Sequence, residues 1–370
     1  MTTDGRHAAP TSAPNAIPMH PAPPPPPKRP PGQTITCPIC ASTLDWESLP
    51  LYRWDQGAAK YVDLKLGAGI SATQKAQSLR TASIRCADPE QPNAYHYLPY
   101  SYGRYGRPSV YGFVGATNSG KTHLLTAMIG QLEKYGLGPG LRHRPITLAG
   151  HQYLKNHQIG PFLNDSKVIE HTRLNSIGLV DILAVREGDG TERPIALFDV
   201  AGGDLLEIDA ARKFLDVADG LFFVVNSDEL GGDELGDQTF STVLELLEAS
   251  GRLSEVSAAI ILGKADLLRF DDPVTRWMRQ PDQTLDAKAS LEESADVYAY
   301  LQVRNAHAWT RPYRDCRKAT LHVASATGTG AVENGRFVRG VRPVRVLNPL
   351  IALMAMTGVI TSEEAKQIGM

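Results

Sequence analysis

The chain has 370 residues, with 38 Lys and Arg against 40 Asp and Glu, and a formal net charge of -2. This balance argues against a protein that coats nucleic acid or anionic lipid through bulk charge. Four cysteines are too few for a disulfide-stapled secreted scaffold. The sequence has neither an apolar run long enough for a membrane span nor the apolar stretch of a signal peptide. We therefore expect a cytoplasmic protein of two to three domains.

The first segment, residues 1–33, is rich in proline. It holds eleven of the 26 prolines, including the run Pro23–Pro27, and almost no large apolar side chains. Such a segment buries too little surface to offset its conformational entropy, and proline biases it towards polyproline II. It is predicted to be a disordered leader. Two roles stay open, a solvated spacer or a docking site for an aromatic-lined proline-recognition partner.

Residues 34–107 carry a candidate metal site. Cys37 and Cys40 have the spacing of a zinc knuckle, and Cys86 and His96 complete a Cys₃His set. Four protein ligands leave no open coordination position, so we predict structural zinc in a small zinc-ribbon-like β module. A Cys-x-x-Cys redox pair and the absence of any site are the alternatives. Acidic residues interrupt the basic ones nearby, so nucleic acid is not expected as a partner.

From residue 108 onward, apolar runs alternate with amphipathic helical stretches. Continuous apolar strands separated by helices predict an α/β domain over 108–370 with a largely parallel sheet covered on both faces. The strands are expected at Val110–Val114, Ile177–Val185, Ile195–Val200, Gly220–Val225, Ala258–Leu262 and Thr320–Ala324, and helices near 121–134, 207–217, 238–249, 289–306 and 348–357.

A phosphate-binding loop directly follows the first of these strands. The sequence from Gly115 to Thr122 is G-x-x-x-x-G-K-T, between a buried strand and a helix start. Its backbone N–H groups and the helix N-terminus favour phosphate; Lys121 is expected to neutralise phosphate oxygens and Thr122 to ligate Mg²⁺. The nucleotide contacts are assigned to Gly115, Asn118, Ser119, Gly120, Lys121, Thr122 and His123.

Three further strand ends carry polar residues. Asp199 ends one strand and is a candidate Mg²⁺ ligand, and Gly202 can offer its N–H to a γ-phosphate. Asp266 can accept hydrogen bonds from the N1–H and the exocyclic amine of guanine, a pair of donors that adenine lacks on that edge. The Lys264 stem can lie against the base. The tight turn at Ser325 and Ala326 can meet the base oxygen.

In this order, these motifs resemble the Ras-like and translation-factor-related (TRAFAC) class of P-loop GTPases over about residues 108–370. The matching segments are Gly115–Thr122, Asp199–Gly202, Gly263–Asp266 and Ser325–Ala326. The resemblance implies a six-stranded sheet, GTP or GDP with Mg²⁺, and two switch segments around the γ-phosphate. It also implies a switch threonine that ligates Mg²⁺, for which Thr172 fits by position and Thr147 is the alternative. Together with the zinc module, it suggests a bacterial regulatory or conflict-system type.

The sequence departs from that class in three places. Gly263 stands where the guanine-reading motif has Asn or Thr, and Gly203 stands where many members carry a Gln that orients water. Asp204 and Glu207 are nearby acids that can polarise water. About 50 residues separate Thr122 from Thr172, an elaboration where partners can bind.

We expect Lys121, Thr172 and Gly202 to act in catalysis, with slow intrinsic hydrolysis that an activating partner accelerates. The functional hypothesis is a GTP-binding molecular switch that signals to effector proteins. Two alternatives stay open. The first is a P-loop ATPase or kinase, and the second is a non-catalytic module in which nucleotide only stabilises the fold.

Overall fold

The computed structural model describes residues 35–369 apart from 38–39, 56, 59, 68, 88–94, 106, 170–176, 189, 201–207, 231–237, 281 and 283–284. Within these residues the chain forms an N-terminal β module followed by an α/β unit. The strands are β1 Ile35–Thr36, β2 Thr43–Leu44, β3 Leu51–Asp55, β4 Lys60–Asp63, β5 Ser83–Ala87, β6 Tyr95–Pro99, β7 Ser109–Val114, β8 Leu141–Pro145, β9 Ile177–Glu187, β10 Arg193–Val200, β11 Gly220–Val225, β12 Ser257–Leu262, β13 Lys318–Val323, β14 Val332–Glu333 and β15 Arg336–Phe337.

Helices connect strands both in the N-terminal module and in the α/β unit. They are α1 Ala72–Arg80, α2 Ser101–Arg104, α3 Lys121–Tyr135, α4 Leu148–Leu154, α5 Gly160–Leu163, α6 Ile208–Leu215, α7 Gln238–Ala249, α8 Val274–Met278, α9 Ala287–Val303, α10 His307–Asp315, α11 Leu347–Met356 and α12 Glu363–Lys366. A π-helical turn, Lys155–Ile159, joins α4 to α5, and short 3₁₀ turns cover Ser227–Glu229 and Ala265–Leu268. None of the helices in these ranges is long and apolar enough to cross a bilayer.

The central sheet has seven strands in the order β13-β12-β11-β7-β10-β9-β8. The five strands from β13 to β10 pair in parallel, whereas β9 is antiparallel to both of its neighbours, β10 and β8. The register places Asp199 opposite Phe113, and Val225 opposite Leu262. The carboxyl ends of the parallel strands therefore meet at one edge, where α/β folds of this kind bind ligands.

Side chains of the sheet alternate between two cores. Along β7, Val110 and Val114 belong to one hydrophobic cluster, while Tyr111 and Phe113 belong to the other. Phe214 of α6 packs in the first cluster, and most of α11 is buried in the second. Both sheet faces are thus covered, which explains why these strands read as continuous apolar runs.

The N-terminal module is a four-stranded antiparallel sheet, β4-β3-β5-β6, with the β1–β2 hairpin beside it. Its buried side chains belong to the same hydrophobic cluster as α6 and α7. Trp46 donates from its indole N–H to the Tyr100 carbonyl at 3.1 Å. A Cβ at Gly103 would lie 2.5 Å from the Trp46 ring, so only glycine fits at this position without movement of the ring. The module packs directly on the α/β unit.

The structure corrects the expected strand number, and the sheet is largely but not purely parallel. The sheet has seven strands where six are expected, and it is mixed at the β9–β8 edge. The additional strand, β8, lies in the long stretch before β9, and its sequence Leu-Arg-His-Arg-Pro carries no apolar run that would predict a strand. An edge strand needs little burial on its open side, so its hydrophobic signal is weak.

Candidate nucleotide and metal sites

The loop between β7 and α3 has the shape of a phosphate cradle. Asn118 and Gly120 adopt left-handed φ values of 66° and 91°, and no side chain caps the first turn of α3. A Cβ at Gly115 would lie 2.6 Å from the Val224 carbonyl oxygen and 2.9 Å from the Ser119 hydroxyl. The buried Ser119 hydroxyl has no hydrogen-bond partner among the described residues. Uncapped N–H groups around a tight glycine turn suit an anion.

Lys121 is held inside this loop. Its ammonium group donates to the Gly115 carbonyl at 2.7 Å and to the Ala116 carbonyl at 2.9 Å, and its side chain is buried. These bonds place a positive charge beneath the cradle, where a lysine meets phosphate oxygens in folds of this type.

A hydroxyl and a carboxylate meet beside the cradle. The Thr122 hydroxyl donates to Asp199 Oδ2 at 2.8 Å, and Asp199 is almost fully buried at the end of β10. Oxygen ligands of this kind are the ones that Mg²⁺ prefers, commonly with water and substrate phosphate in its remaining positions. The pair therefore fits a magnesium ion held next to bound phosphates.

A buried carboxylate lies in the 3₁₀ turn that follows β12. Asp266 is 6 % exposed, and its Oδ1 accepts a 2.5 Å hydrogen bond from the Ser325 hydroxyl. That hydroxyl in turn accepts from the Gly328 N–H at 2.9 Å. The hydrogen bonds from Gly328 to Ser325 and from Ser325 to Asp266 orient the carboxylate.

The phosphate loop and Asp266 line one cleft of about 650 Å³. Of the residues predicted to bind nucleotide or Mg²⁺, it is lined by Asn118, Ser119, Gly120, Lys121, Thr122, His123, Asp199, Lys264, Asp266 and Ala326. Ser325, which donates to Asp266, and Gly115 are not among the lining residues. The phosphate loop and the Asp266 carboxylate thus line the same space.

Two predicted catalytic residues, Thr172 and Gly202, lie outside the described residues, as do Gly203, Asp204 and Glu207. The alternative switch threonine is described. Thr147 precedes α4, its hydroxyl lies 2.8 Å from the Ser101 hydroxyl, and it is not among the cleft-lining residues. Thr147 is therefore poorly placed to ligate a metal ion beside Thr122.

The cleft also has an apolar wall that the motifs do not predict. Val168, Ile169, Val332 and Phe337 line it, and β14 and β15 form a hairpin at its rim. Two backbone bonds tie this hairpin to the segment before residue 170, Val168 N–H to the Gly335 carbonyl at 2.9 Å and Phe337 N–H to the Ser166 carbonyl at 2.8 Å. The only sequence signal is the Asn334-Gly335 turn pair.

The predicted zinc ligands come together in the N-terminal module. The ligand atoms of Cys37, Cys40, Cys86 and His96 all lie within 4.8 Å of one another. Cys40 Sγ is 3.5 Å from Cys86 Sγ, and Cys37 Sγ is 3.9 Å from His96 Nδ1. A tetrahedral zinc with Zn–S bonds of about 2.3 Å needs ligand separations of about 3.8 Å. The cluster has the donor set and the spacing for that ion.

Two different devices position the zinc ligands. Cys86 of β5 and His96 of β6 are directly paired across adjacent strands, while Cys37 and Cys40 lie on the turn between β1 and β2, closed by the Cys37 N–H bond to the Ser42 carbonyl at 2.8 Å. Hydrogen bonding to Cys37 and Cys86 lowers the pKa of the Cys40 thiol, which favours the thiolate that metals bind. The fourth cysteine, Cys316, is buried at the end of α10 and does not belong to the cluster.

No protein-family model and no curated protein sequence matches the chain. Solved structures that are similar to it include the following two. One is the signal recognition particle receptor SRb-GTP/SRX complex from Chaetomium thermophilum, at 19 % identity over 61 % of this chain and 94 % of that chain, with a TM-score of 0.34. The other is Sup35 complexed with GDP, at 13 % identity over 60 % of this chain and 38 % of that chain, with a TM-score of 0.26.

Proposed function

We propose that the protein is a GTP-binding molecular switch that hydrolyses GTP slowly to GDP and signals to effector or activating proteins. The observation that carries this proposal is the position of Asp266. Its carboxylate faces the same cleft as the phosphate loop and Lys121. A carboxylate in that position accepts two hydrogen bonds from guanine and would leave the mismatched edge of adenine unpaired, which disfavours ATP.

The cleft residues divide the work of binding. The loop from Gly115 to Gly120 presents N–H groups to phosphates, and Lys121 neutralises oxygens of the β- and γ-phosphates. Thr122 and Asp199 hold Mg²⁺, which supplies neutralisation of charge that develops on the phosphates. Asp266 and the stem of Lys264 hold the base, with the turn at 325–326 beside it.

In the reaction, a water oxygen attacks the γ-phosphorus, the bond from that phosphorus to the β–γ bridging oxygen breaks, and GDP and inorganic phosphate leave. Lys121 stabilises the charge that moves onto the bridging oxygen and the γ-oxygens. Gly203 has no side chain with which to orient the water. Turnover is therefore slow in the isolated chain and rises when a partner supplies a positioning group. Thr172 and Gly202 are proposed to contact Mg²⁺ and the γ-phosphate.

The zinc site is proposed to be structural, because four protein ligands fill a tetrahedral ion. Protein partners, a cytoplasmic location and a proline-recognition partner for residues 1–33 belong to the same proposal. A non-catalytic module that only binds nucleotide is the second candidate, and Gly203 is the observation that favours it.

Titration calorimetry with GTP, GDP and ATP at equal Mg²⁺ tests the nucleotide class. We expect GTP and GDP to bind at least 100-fold more tightly than ATP, an order of magnitude typical for a site that pairs polar groups of its ligand. A preference for ATP would contradict the proposal. Single-turnover hydrolysis of bound GTP then separates the two candidates, since a slow but Lys121-dependent release of phosphate supports the switch, whereas no release supports the binding module.

A further inference from the structure

Gly263 is enclosed by the end of the neighbouring strand. A Cβ at this position would lie 3.0 Å from the Val225 carbonyl oxygen and 3.1 Å from Val224 Cγ1. Both contacts are tighter than ordinary van der Waals distance, and one of them involves backbone, which cannot move aside easily. A side chain at the position where the resembled class carries Asn or Thr would therefore need the end of β11 to shift by a few tenths of an ångström.

The residues after β11 contact this loop instead. The hydroxyl of Ser227, which is buried, donates to the Gly263 carbonyl oxygen. The next residue, Asp228, forms an ion pair with the Lys264 ammonium group. Within the same 3₁₀ turn, the Asn226 amide donates to the Glu229 carboxylate at 2.7 Å, which fixes the turn that presents both side chains.

These two contacts act on the residues that read the base. Lys264 has a left-handed φ of 48°, a conformation that a non-glycine residue holds only when its surroundings impose it. Its Cε lies 3.9 Å from where a Cβ on Gly120 would be, so the stem crosses the cleft next to the phosphate loop. The 3₁₀ turn that carries Asp266 begins directly after Lys264.

We propose that Ser227 and Asp228 are positioning residues of the base site. Ser227 fixes the Gly263 carbonyl, Asp228 holds Lys264 across the cleft, and together they replace the bracing that a side chain at position 263 would supply. Ser325 holds Asp266 from the other side. The inference rests on the proposed guanine-nucleotide function and names the residues that secure its base selectivity.

The ratio of GDP to ADP affinity is the decisive quantity, because ADP shares the phosphates but cannot pair with Asp266. In calorimetric titrations of the full chain with Mg²⁺, Ser227→Ala is expected to weaken GDP binding about tenfold and leave ADP binding unchanged, the loss expected for one buried hydrogen bond. Asp228→Asn is expected to weaken GDP about threefold, the smaller effect of a half-exposed ion pair. Asp228 lies at the surface, so this variant does not endanger folding.

Matched controls remove equivalent groups elsewhere. Ser250→Ala deletes a hydroxyl that donates to the Leu247 carbonyl at the end of α7, and Asp315→Asn removes a carboxylate paired with Arg311. Both are expected to leave the GDP to ADP ratio unchanged. Gly263→Asn, which introduces the residue of the resembled class, is expected to weaken GDP binding.

Three results would overturn the inference. Ser227→Ala could leave GDP binding intact, it could weaken GDP and ADP equally, or Gly263→Asn could strengthen GDP binding. The proposed function fails separately, when the unmodified chain shows no preference for GDP over ADP.

Discussion

The Thr122 hydroxyl donates a 2.8 Å hydrogen bond to the Asp199 carboxylate and so joins the first turn of α3 to the end of β10. The parallel pairing of β7 with β10 creates this contact, because it places Asp199 opposite Phe113, one residue before the end of β7. A hydroxyl and a buried carboxylate at this distance are a pair of oxygen ligands prepared for a hard cation.

Replacing Thr122 by Ala removes one of these two oxygens. We expect the gain in GDP affinity on adding Mg²⁺ to fall by about tenfold, because a ligand to the ion is lost while the cradle stays in place. Calorimetry with and without Mg²⁺ measures the difference. Thr310→Ala, which removes a hydroxyl bonded to the His307 carbonyl on α10, is the control. An unchanged magnesium effect in Thr122→Ala would contradict the assignment.

Zinc is expected to hold the N-terminal module together. Elemental analysis should find about one zinc per chain, and Cys86→Ser should lose it, because three ligands bind the ion far less tightly than four. The module should then lose its β signal and become sensitive to protease. Cys316→Ser replaces a buried thiol outside the cluster and should keep its zinc. A folded, metal-free wild-type chain would remove this site.

A buried ionisable cluster links the stretch before β9 to the phosphate-loop helix. The His151 ring nitrogens lie 2.6 Å from Asp181 Oδ2 of β9 and 2.5 Å from Glu133 Oε1 of α3, and Lys155 also pairs with Glu133. The hydrogen bond to Asp181 raises the pKa of His151. Burial raises the pKa of Asp181; at Glu133, burial is outweighed by hydrogen bonds from His151 and Lys155, which lower the pKa.

The raised pKa of His151 makes the free energy of unfolding depend on pH. The pKa of His151 is higher in the folded chain than its unfolded value of about 6.5. The protonated ring therefore stabilises the folded state fully below pH 6.5, and this stabilisation is lost as the pH rises through the folded pKa. Burial lowers the pKa of the neighbouring His143, so its titration lies below pH 6.5 and the raised pKa of His151 is the histidine shift that acts above that pH.

We therefore expect His151→Gln to lower the free energy of unfolding by about 2 kcal/mol at pH 6 and by clearly less at pH 9. Urea denaturation at the two pH values measures the difference. His307→Gln, a change at the start of α10, serves as the control. A penalty that grows with pH would show that the sign of the His151 shift is wrong.

The hairpin at the cleft rim is expected to slow nucleotide release. The Phe337 ring contacts His123 and Phe162 edge-on, with centroid distances of 5.8 and 6.1 Å, and its backbone holds Ser166. Phe337→Ala should accelerate dissociation of a fluorescent GDP analogue about tenfold, because the hairpin loses the buried ring that packs against His123 and Phe162. Val338→Ala changes an exposed neighbour and should not. Equal release rates in both variants would leave the hairpin without this role.

The sequence predicts those features that have a local pattern. The strands from β7 to β13 other than β8 are visible as apolar runs because both sheet faces are covered, and the loop at 115–122 is visible because phosphate binding requires glycine at fixed positions. The Cys₃His cluster is also predictable, since metal ligands are restricted to few residue types. The Cys₃His cluster and the glycine loop are therefore the features for which the sequence gives the strongest local signal.

The features that the sequence does not predict depend on tertiary contacts. Nothing in the run Asn226-Ser227-Asp228 predicts that it touches Gly263 and Lys264, because these contacts follow from the pairing of β11 with β12. The cluster of Glu133, His151 and Asp181 joins three separate elements, and its members look like ordinary surface residues when read singly. Helix α10 contains Pro312, which interrupts the helical pattern.

The central claim is that the Asp266 carboxylate accepts hydrogen bonds from guanine. Asp266→Asn tests it most directly through the affinities for GDP and for xanthosine diphosphate, whose base carries a carbonyl in place of the exocyclic amine. An amide can donate to that carbonyl, so we expect the variant to lose GDP affinity by about 100-fold and to bind xanthosine diphosphate more tightly than the unmodified chain does. An Asp266→Asn variant that binds GDP as tightly as the unmodified chain, with no gain for xanthosine diphosphate, would contradict the claim.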